Sequence, residues 1–142
     1  MAIAMPLYVQ IKNSPTKDAV KQVIYDASKV SHLDILSYDM LAASIKKDTS
    51  ADILTLDRRA AAKTYRENVA KYADAYVVVT VANDSRTVFF FDVYQAGTDK
   101  LLYTYEIVAN GSEKDTVEVY KGFADQFYKN FERAQQEQSK GK

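Results

Sequence analysis

Cysteine is absent from this 142-residue chain, and so is tryptophan. The missing thiols exclude disulfides, thiolate catalysis and cysteine zinc sites, and leave the redox compartment open. Histidine occurs once, at His32. A histidine base or metal ligand needs partners, and Ser31 and Asp34 adjoin it only in sequence. It reads as a surface residue closing a helix, where a cation suits the helix dipole. With four glycines and two prolines there is little room for a phosphate-cradling loop, and neither HExxH nor GxSxG occurs. No apolar run approaches the roughly 18 residues of a membrane span. Neither sign of charge dominates: nineteen Lys and Arg balance nineteen Asp and Glu. No global field therefore draws nucleic acid or an anionic membrane. No charged segment followed by an apolar one opens the chain, so no signal peptide is read. Ala2-Ile3-Ala4 has the small-x-small form of a cleavage site but is taken as a chance triplet.

What remains is ordinary globular material, 47% hydrophobic and 27% charged, at the length of one domain. Folding at this size buries roughly 68–70% of the unfolded surface, so the chain needs no covalent staple. No linker, repeat or low-complexity block divides it. Residues 1–136 read as a single domain and residues 137–142 as a polar tail that frays.

Periodicity then places the elements. "MPLYVQI" (Met5 to Ile11) is rich in β formers and is broken by "KNSP". From Thr16 to Val30, Ala19, Val20, Val23, Ile24, Ala27 and Val30 recur at helical spacing, with Thr16 as cap. "HLDILSY" is a short strand, Asp39 to Lys46 a short helix bearing Leu41 and Ile45, and "KKDTSAD" a polar loop. Asp57 caps a helix to about Tyr72 whose buried side includes Ala61, Ala62, Tyr65, Val69 and Tyr72. Three strands follow, Ala75 to Ala82, Thr87 to Gln95 and Lys100 to Val108, separated by "NDS" and "AGTD". After "NGSEKD" a closing helix spans about Glu113 to Gln136, carrying Val117, Tyr120, Phe123, Ala124, Phe127 and Phe131. The order β-α-β-α-α-β-β-β-α predicts an α+β fold: a mixed sheet with helices packed on one face and a long C-terminal helix.

The aromatic stretch "FFFDVYQAGTDKLLYTYEIV" poses the main question, whether it is a binding ribbon or a core. Alternation puts Phe89, Phe91 and Val93 on one face, and Val88, Phe90, Asp92 and Tyr94 on the other. In the next strand Leu101, Tyr103, Tyr105 and Ile107 oppose Leu102, Thr104, Glu106 and Val108. One face is wholly apolar or aromatic, as expected of a sheet half buried against helices. An RNA-stacking strand would carry glycines and basic residues; this one carries Asp92 instead. The ribbon is read as core, and no nucleic-acid partner is expected.

Candidate chemistry is thin. Asp48 and Asp52 lie in a loop without the turning glycine of a calcium site. Asp92, if buried, would be a general-acid candidate, although a partner such as Lys100 or a nearby hydroxyl is the simpler expectation. Arg58 and Arg59 stand on the first turn of a helix, as solvated charges or as interface anchors. Eleven tyrosines are the compositional excess. A tyrosine can fill a core edge or anchor a partner, and sequence does not separate these roles for Tyr8, Tyr25 and Tyr38.

"KYADAYVVVTVANDS" followed by "TVFFFDVYQAGTDKLLYTYEI" resembles the second half of bacterial envelope domains related to the TolB amino-terminal domain, CsgG and LpoB. Ala73, Asp74 and Tyr76 stand at the alanine-aspartate-tyrosine run that enters a strand, with Ala75 as an extra residue. Asp92, Val93, Gly97 and Thr98 stand at the valine-aspartate segment and its following turn. "DILSYDMLAASIKK" is similar to the family's short strand and helix. The resemblance implies a non-catalytic domain, without cofactor, that binds proteins in the periplasm or cell envelope. The partners would be other envelope proteins or a second copy, docked on the strand Lys100 to Val108 as a sheet edge. Tyr103, Tyr105 and Ile107, with Arg58 and Arg59, are the candidate interface residues. The alternative is a small-ligand domain with a pocket between the sheet and the Asp39 to Lys46 helix.

Overall fold

The computed structural model describes residues 1–9, 16–30, 34–83, 87–109 and 117–140. His32 and the "KNSP" and "NGSEKD" segments lie outside them. Strands β1 (Ala2–Ile3) and β2 (Leu7–Val9) both run parallel to β3 (Ala75–Asn83), Ala2 opposite Tyr76 and Leu7 opposite Thr80. They act as one interrupted strand, broken around Pro6, which has no N–H to give a ladder. Strands β4 (Thr87–Gln95) and β5 (Leu101–Val108) continue as an antiparallel meander, so the sheet order is β1-β3-β4-β5 with β2 beside β3. The short strand expected at "HLDILSY" is reduced to a parallel bridge between Leu36 and Ala2.

The helices begin where the capping side chains stand. Thr16 accepts from the Ala19 N–H at 3.1 Å to open α1 (Lys17–Ala27), and Asp57 accepts from Ala60 at 2.9 Å to open α3 (Arg58–Asn68). Ser37 opens α2 (Tyr38–Thr49) in the same way. That helix absorbs most of the expected "KKDTSAD" loop before Ser50 ends it in the left-handed region at φ 67°. The closing helix α4 (Val117–Lys140) continues past the expected end at Gln136.

The α+β class, the mixed sheet, the element order and the long closing helix are all as expected. Helix packing on one face holds for α1 and α4. Their apolar stripes cover Val77, Val79 and Val81 of β3, Phe89, Phe91 and Val93 of β4, and Ile107 of β5. Phe91 stacks on Phe127 with centroids 4.6 Å apart, and Phe89 meets Tyr120 edge-on at 4.5 Å. Each such ring contributes on the order of 1.5–3 kcal/mol. Helices α2 and α3 instead form a second core with Tyr76 on the opposite face. The physical reason is Tyr76, Val78 and Tyr94, which make that face apolar at one end and worth covering.

Two smaller corrections follow from the same geometry. A register shift beside Val93 and Tyr94 places Leu101 opposite Tyr94, so Leu101 leaves the core face assigned to it and is exposed. Ala62, expected in the buried side of α3, is also exposed. The β4–β5 turn uses Gly97 at φ 90°, a conformation that a side chain would strain.

Candidate functional site

Two surfaces stand out from the fold. The first is the free edge of the sheet. Strand β5 is the last in the order, and among the described residues no strand pairs with its outer side. Ala109 donates to the Thr87 carbonyl directly opposite, which makes 87 and 109 a hydrogen-bonded pair. Pairs alternate along an antiparallel ladder, so Ile107, Tyr105 and Tyr103 also turn their backbone groups toward β4. Thr104, Glu106 and Val108 turn theirs outward, while Leu102 stands at the register shift, where the alternation breaks. Leu102 is 52% exposed and Val108 46%, leaving apolar side chains beside unpaired backbone.

The candidate interface side chains of β5 sit differently from the edge itself. Ile107 is buried in the α1–α4 core. Tyr103 is half buried, its ring 5.2 Å from Phe131, and Tyr105 lies near Phe91 and accepts a hydrogen bond from Asn130 at 3.2 Å. Their rings pack beneath α4, and burial pushes the Tyr103 phenol above its ordinary pKa. What β5 presents outward is backbone with Leu102, Thr104, Glu106 and Val108. Asp92, the general-acid candidate, accepts from the Thr104 hydroxyl at 3.0 Å, the nearby-hydroxyl arrangement expected of it.

The second surface is a cleft of about 610 Å³ between the Tyr76–Tyr94 face of the sheet, the β1–β2 connection and α3. Its wall is a chain of four tyrosines. Tyr38 stacks on Tyr65 at 5.6 Å, Tyr65 meets Tyr76 edge-on at 5.9 Å, and Tyr76 stacks on Tyr94 at 5.4 Å. Met5, Pro6, Ile53, Leu54 and Leu56 also line it. Tyr38 comes from α2, so the cleft touches the helix named for the alternative small-ligand pocket, but most of its helical wall is α3.

Polar groups in the cleft are unequally satisfied. Lys21 donates to Asp39 at 2.9 Å, pairs with Asp18 at 3.2 Å, and stands 5.0 Å over the Tyr38 ring. Tyr76 donates to Asp99 at 2.6 Å. Burial above all, then this carboxylate, holds the Tyr76 phenol far above its ordinary pKa. The Tyr65 hydroxyl is buried with no hydrogen-bond partner among the described residues, and burial raises its pKa well above the usual phenol value. Arg58 and Arg66 line the cleft and make no ion pair among the described residues; Arg59 is exposed and outside the lining. Sequence reading missed Tyr65, Tyr76, Tyr94 and Arg66 as a group. The excess of tyrosine was the signal for the three tyrosines, and nothing pointed to Arg66, since the group is drawn from three separate elements, α3, β3 and β4.

No group of three His, Asp or Glu side chains that could hold a metal ion occurs among the described residues. Nor is any described helix long and apolar enough to cross a membrane. The carboxylates of "KKDTSAD" have other roles. Asp48 accepts from the Tyr72 hydroxyl, and Asp52 accepts from the Leu54 N–H at 3.1 Å and lies 3.6 Å from Lys46.

No known family matches the sequence, and none of the curated proteins does. Solved structures do. The chain is similar to the LpoB C-terminal domain from Escherichia coli, with a TM-score of 0.55 at 12% identity over 76% of this chain and 79% of that one. The LpoB C-terminal domain from Salmonella enterica gives a TM-score of 0.50 at 11% identity over the same shares. Lipoprotein GNA1162 from Neisseria meningitidis overlaps 89% of this chain and 94% of its own, with a TM-score of 0.48 at 11% identity. At these identities the likeness is one of fold. It extends to LpoB; the TolB and CsgG parts of the sequence resemblance are not shown by these neighbours.

Proposed function

We propose that the chain is a non-catalytic protein-binding module of the bacterial cell envelope, docking an envelope protein or a second copy along β5. The observation that carries this reading is the free edge, where Thr104, Glu106 and Val108 turn their backbone outward and the side chains of Leu102 and Val108 are exposed. An added strand would satisfy its unpaired N–H and C=O groups and cover Leu102 and Val108 at once. Natural proteins blunt exposed edges with lysine, proline or a covering element, and Glu106 is the one charge inside β5. The envelope address is supported by the LpoB-like fold together with the sequence resemblance. The non-catalytic part is supported by Asp92, the one general-acid candidate, which accepts a hydrogen bond from the Thr104 hydroxyl.

A photo-crosslinking residue at Leu102, compared with one at Glu118 on exposed α4 surface, tests the reading in purified chain mixed with envelope extract. Adducts to another chain from Leu102 but not from Glu118 are expected. Equal yields from both positions would contradict it.

A further inference from the structure

Glu106 is the one charged residue within β5, and its side chain is exposed. It makes no ion pair among the described residues. Cross-strand register fixes what surrounds it. Three rows cross the open face of the sheet beside the free edge: Val78–Asp92–Thr104, Thr80–Phe90–Glu106 and Ala82–Val88–Val108. They hold two carboxylates and no cation. Asp92 accepts from the Thr104 hydroxyl at 3.0 Å, a neutral donor that leaves its charge without a counter-charge.

The backbone beside this acidic face is unpaired as well. Thr104, Glu106 and Val108 turn their N–H and C=O groups outward, so an added strand forms its hydrogen bonds at these positions. The residue it sets opposite Glu106 lays a side chain on the open face, about 5.5 Å away between Cα atoms in an antiparallel pair. The residue it sets opposite Val108, which is 46% exposed, lies two positions along on the same face. A second copy fits this edge poorly. β5 carries no cation to set against Glu106. The two-fold register that opposes all three outward residues puts the two Glu106 carboxylates face to face.

We propose that the β5 edge takes an extended segment of another protein that bears a lysine or arginine opposite Glu106 and an apolar residue two positions away, opposite Val108. Backbone pairing holds the segment and charge selects it. This selection rests on the edge reading proposed above and adds the chemistry of the occupant.

The probe is the capped heptapeptide acetyl-Thr-Val-Thr-Lys-Thr-Val-Thr amide, whose lysine has an apolar neighbour two positions away in either strand direction. The same peptide with glutamine or glutamate in place of lysine is the control. Backbone amide resonances of the full chain are followed in each titration at low salt. Shifts are expected at Thr104, Glu106 and Val108. The lysine peptide should bind about fivefold or more tighter than the glutamate peptide, with glutamine between them, because an opposite-charge pair replaces a like-charge one. Glu106→Lys should reverse this order, and Glu106→Gln should bring the three peptides within about twofold of one another. Both variants change an exposed side chain and are compared at matched circular dichroism. Equal binding of the three peptides at these amides, or an order unchanged in Glu106→Lys, would overturn the charge selection and leave the edge reading standing. Shifts at the same amides that grow with protein concentration and need no peptide would assign the edge to a second copy and overturn it too. No shift there with any peptide would contradict the edge reading itself.

Discussion

Tyr128 donates its hydroxyl to the Ile24 carbonyl at 2.8 Å, tying α4 to α1 across 104 positions of sequence. Both residues are fully buried, so this bond sits inside the core formed with Phe89, Phe91 and Phe127. Burial accordingly pushes the Tyr128 phenol far above its ordinary pKa. Tyr128→Phe keeps the ring and removes the donor. It should cost about 0.5–1.5 kcal/mol, read as a lower denaturant midpoint at unchanged slope.

Tyr65→Phe should behave in the opposite way. Its hydroxyl is as buried but has no partner among the described residues, so deletion removes a desolvated group and breaks no bond. A midpoint equal to or above that of the wild type is expected. A loss as large as that of Tyr128→Phe would mean that the Tyr65 hydroxyl is satisfied.

Phe127 lies fully buried between Phe91 and Phe131, stacked on both. Phe127→Ala leaves a cavity at the centre of the sheet–α4 contact and should cost about 3–5 kcal/mol. An unchanged denaturant midpoint would refute this packing.

Alkaline pH should unfold the chain by a tyrosine mechanism. Tyr65 and Tyr128 have phenol pKa values raised by burial, so they hold their protons when folded and release them near the ordinary value of about 10 when unfolded. Above that pH the native state binds more protons than the unfolded one, and stability falls as pH rises. Below about pH 10 neither residue makes stability pH-dependent. Chemical denaturation between pH 8 and 11 should show a fall that begins near 10 and is shallower in the Tyr65→Phe, Tyr128→Phe double variant.

Much of this architecture was legible because local chemistry and tertiary packing agree. Thr16 and Asp57 cap the helices they precede, and Phe89, Phe91 and Val93 fall on the buried face that alternation assigns them. Legibility failed where a non-local feature decided the outcome. The shift beside Tyr94 moves Leu101 off the core face, and no period-two pattern encodes a bulge. Ala62 has helical spacing with Tyr65, but it lies on the exposed side of α3, one position round from the buried Ala61. Tyr128 lies outside the apolar stripe read for α4, because its burial goes with a hydroxyl bond to a carbonyl on another helix, which spacing along α4 does not carry. The cleft needed Tyr38, Tyr65, Tyr76 and Tyr94 brought from α2, α3, β3 and β4, a juxtaposition that spacing along one element does not carry.

The free β5 edge is most directly tested by sedimentation of the wild type and Thr104→Pro over a range of concentrations, alone and with envelope extract. Thr104 turns its backbone outward, so proline removes an edge donor without cutting the ladder to β4, although the hydroxyl contact with Asp92 is lost. Matched circular dichroism and denaturant midpoints establish that the variant is folded. The expected result is wild-type association, with itself or an envelope protein, that a folded Thr104→Pro chain loses. A wild type that stays monomeric and captures no envelope partner, or association that the proline leaves untouched, would contradict it.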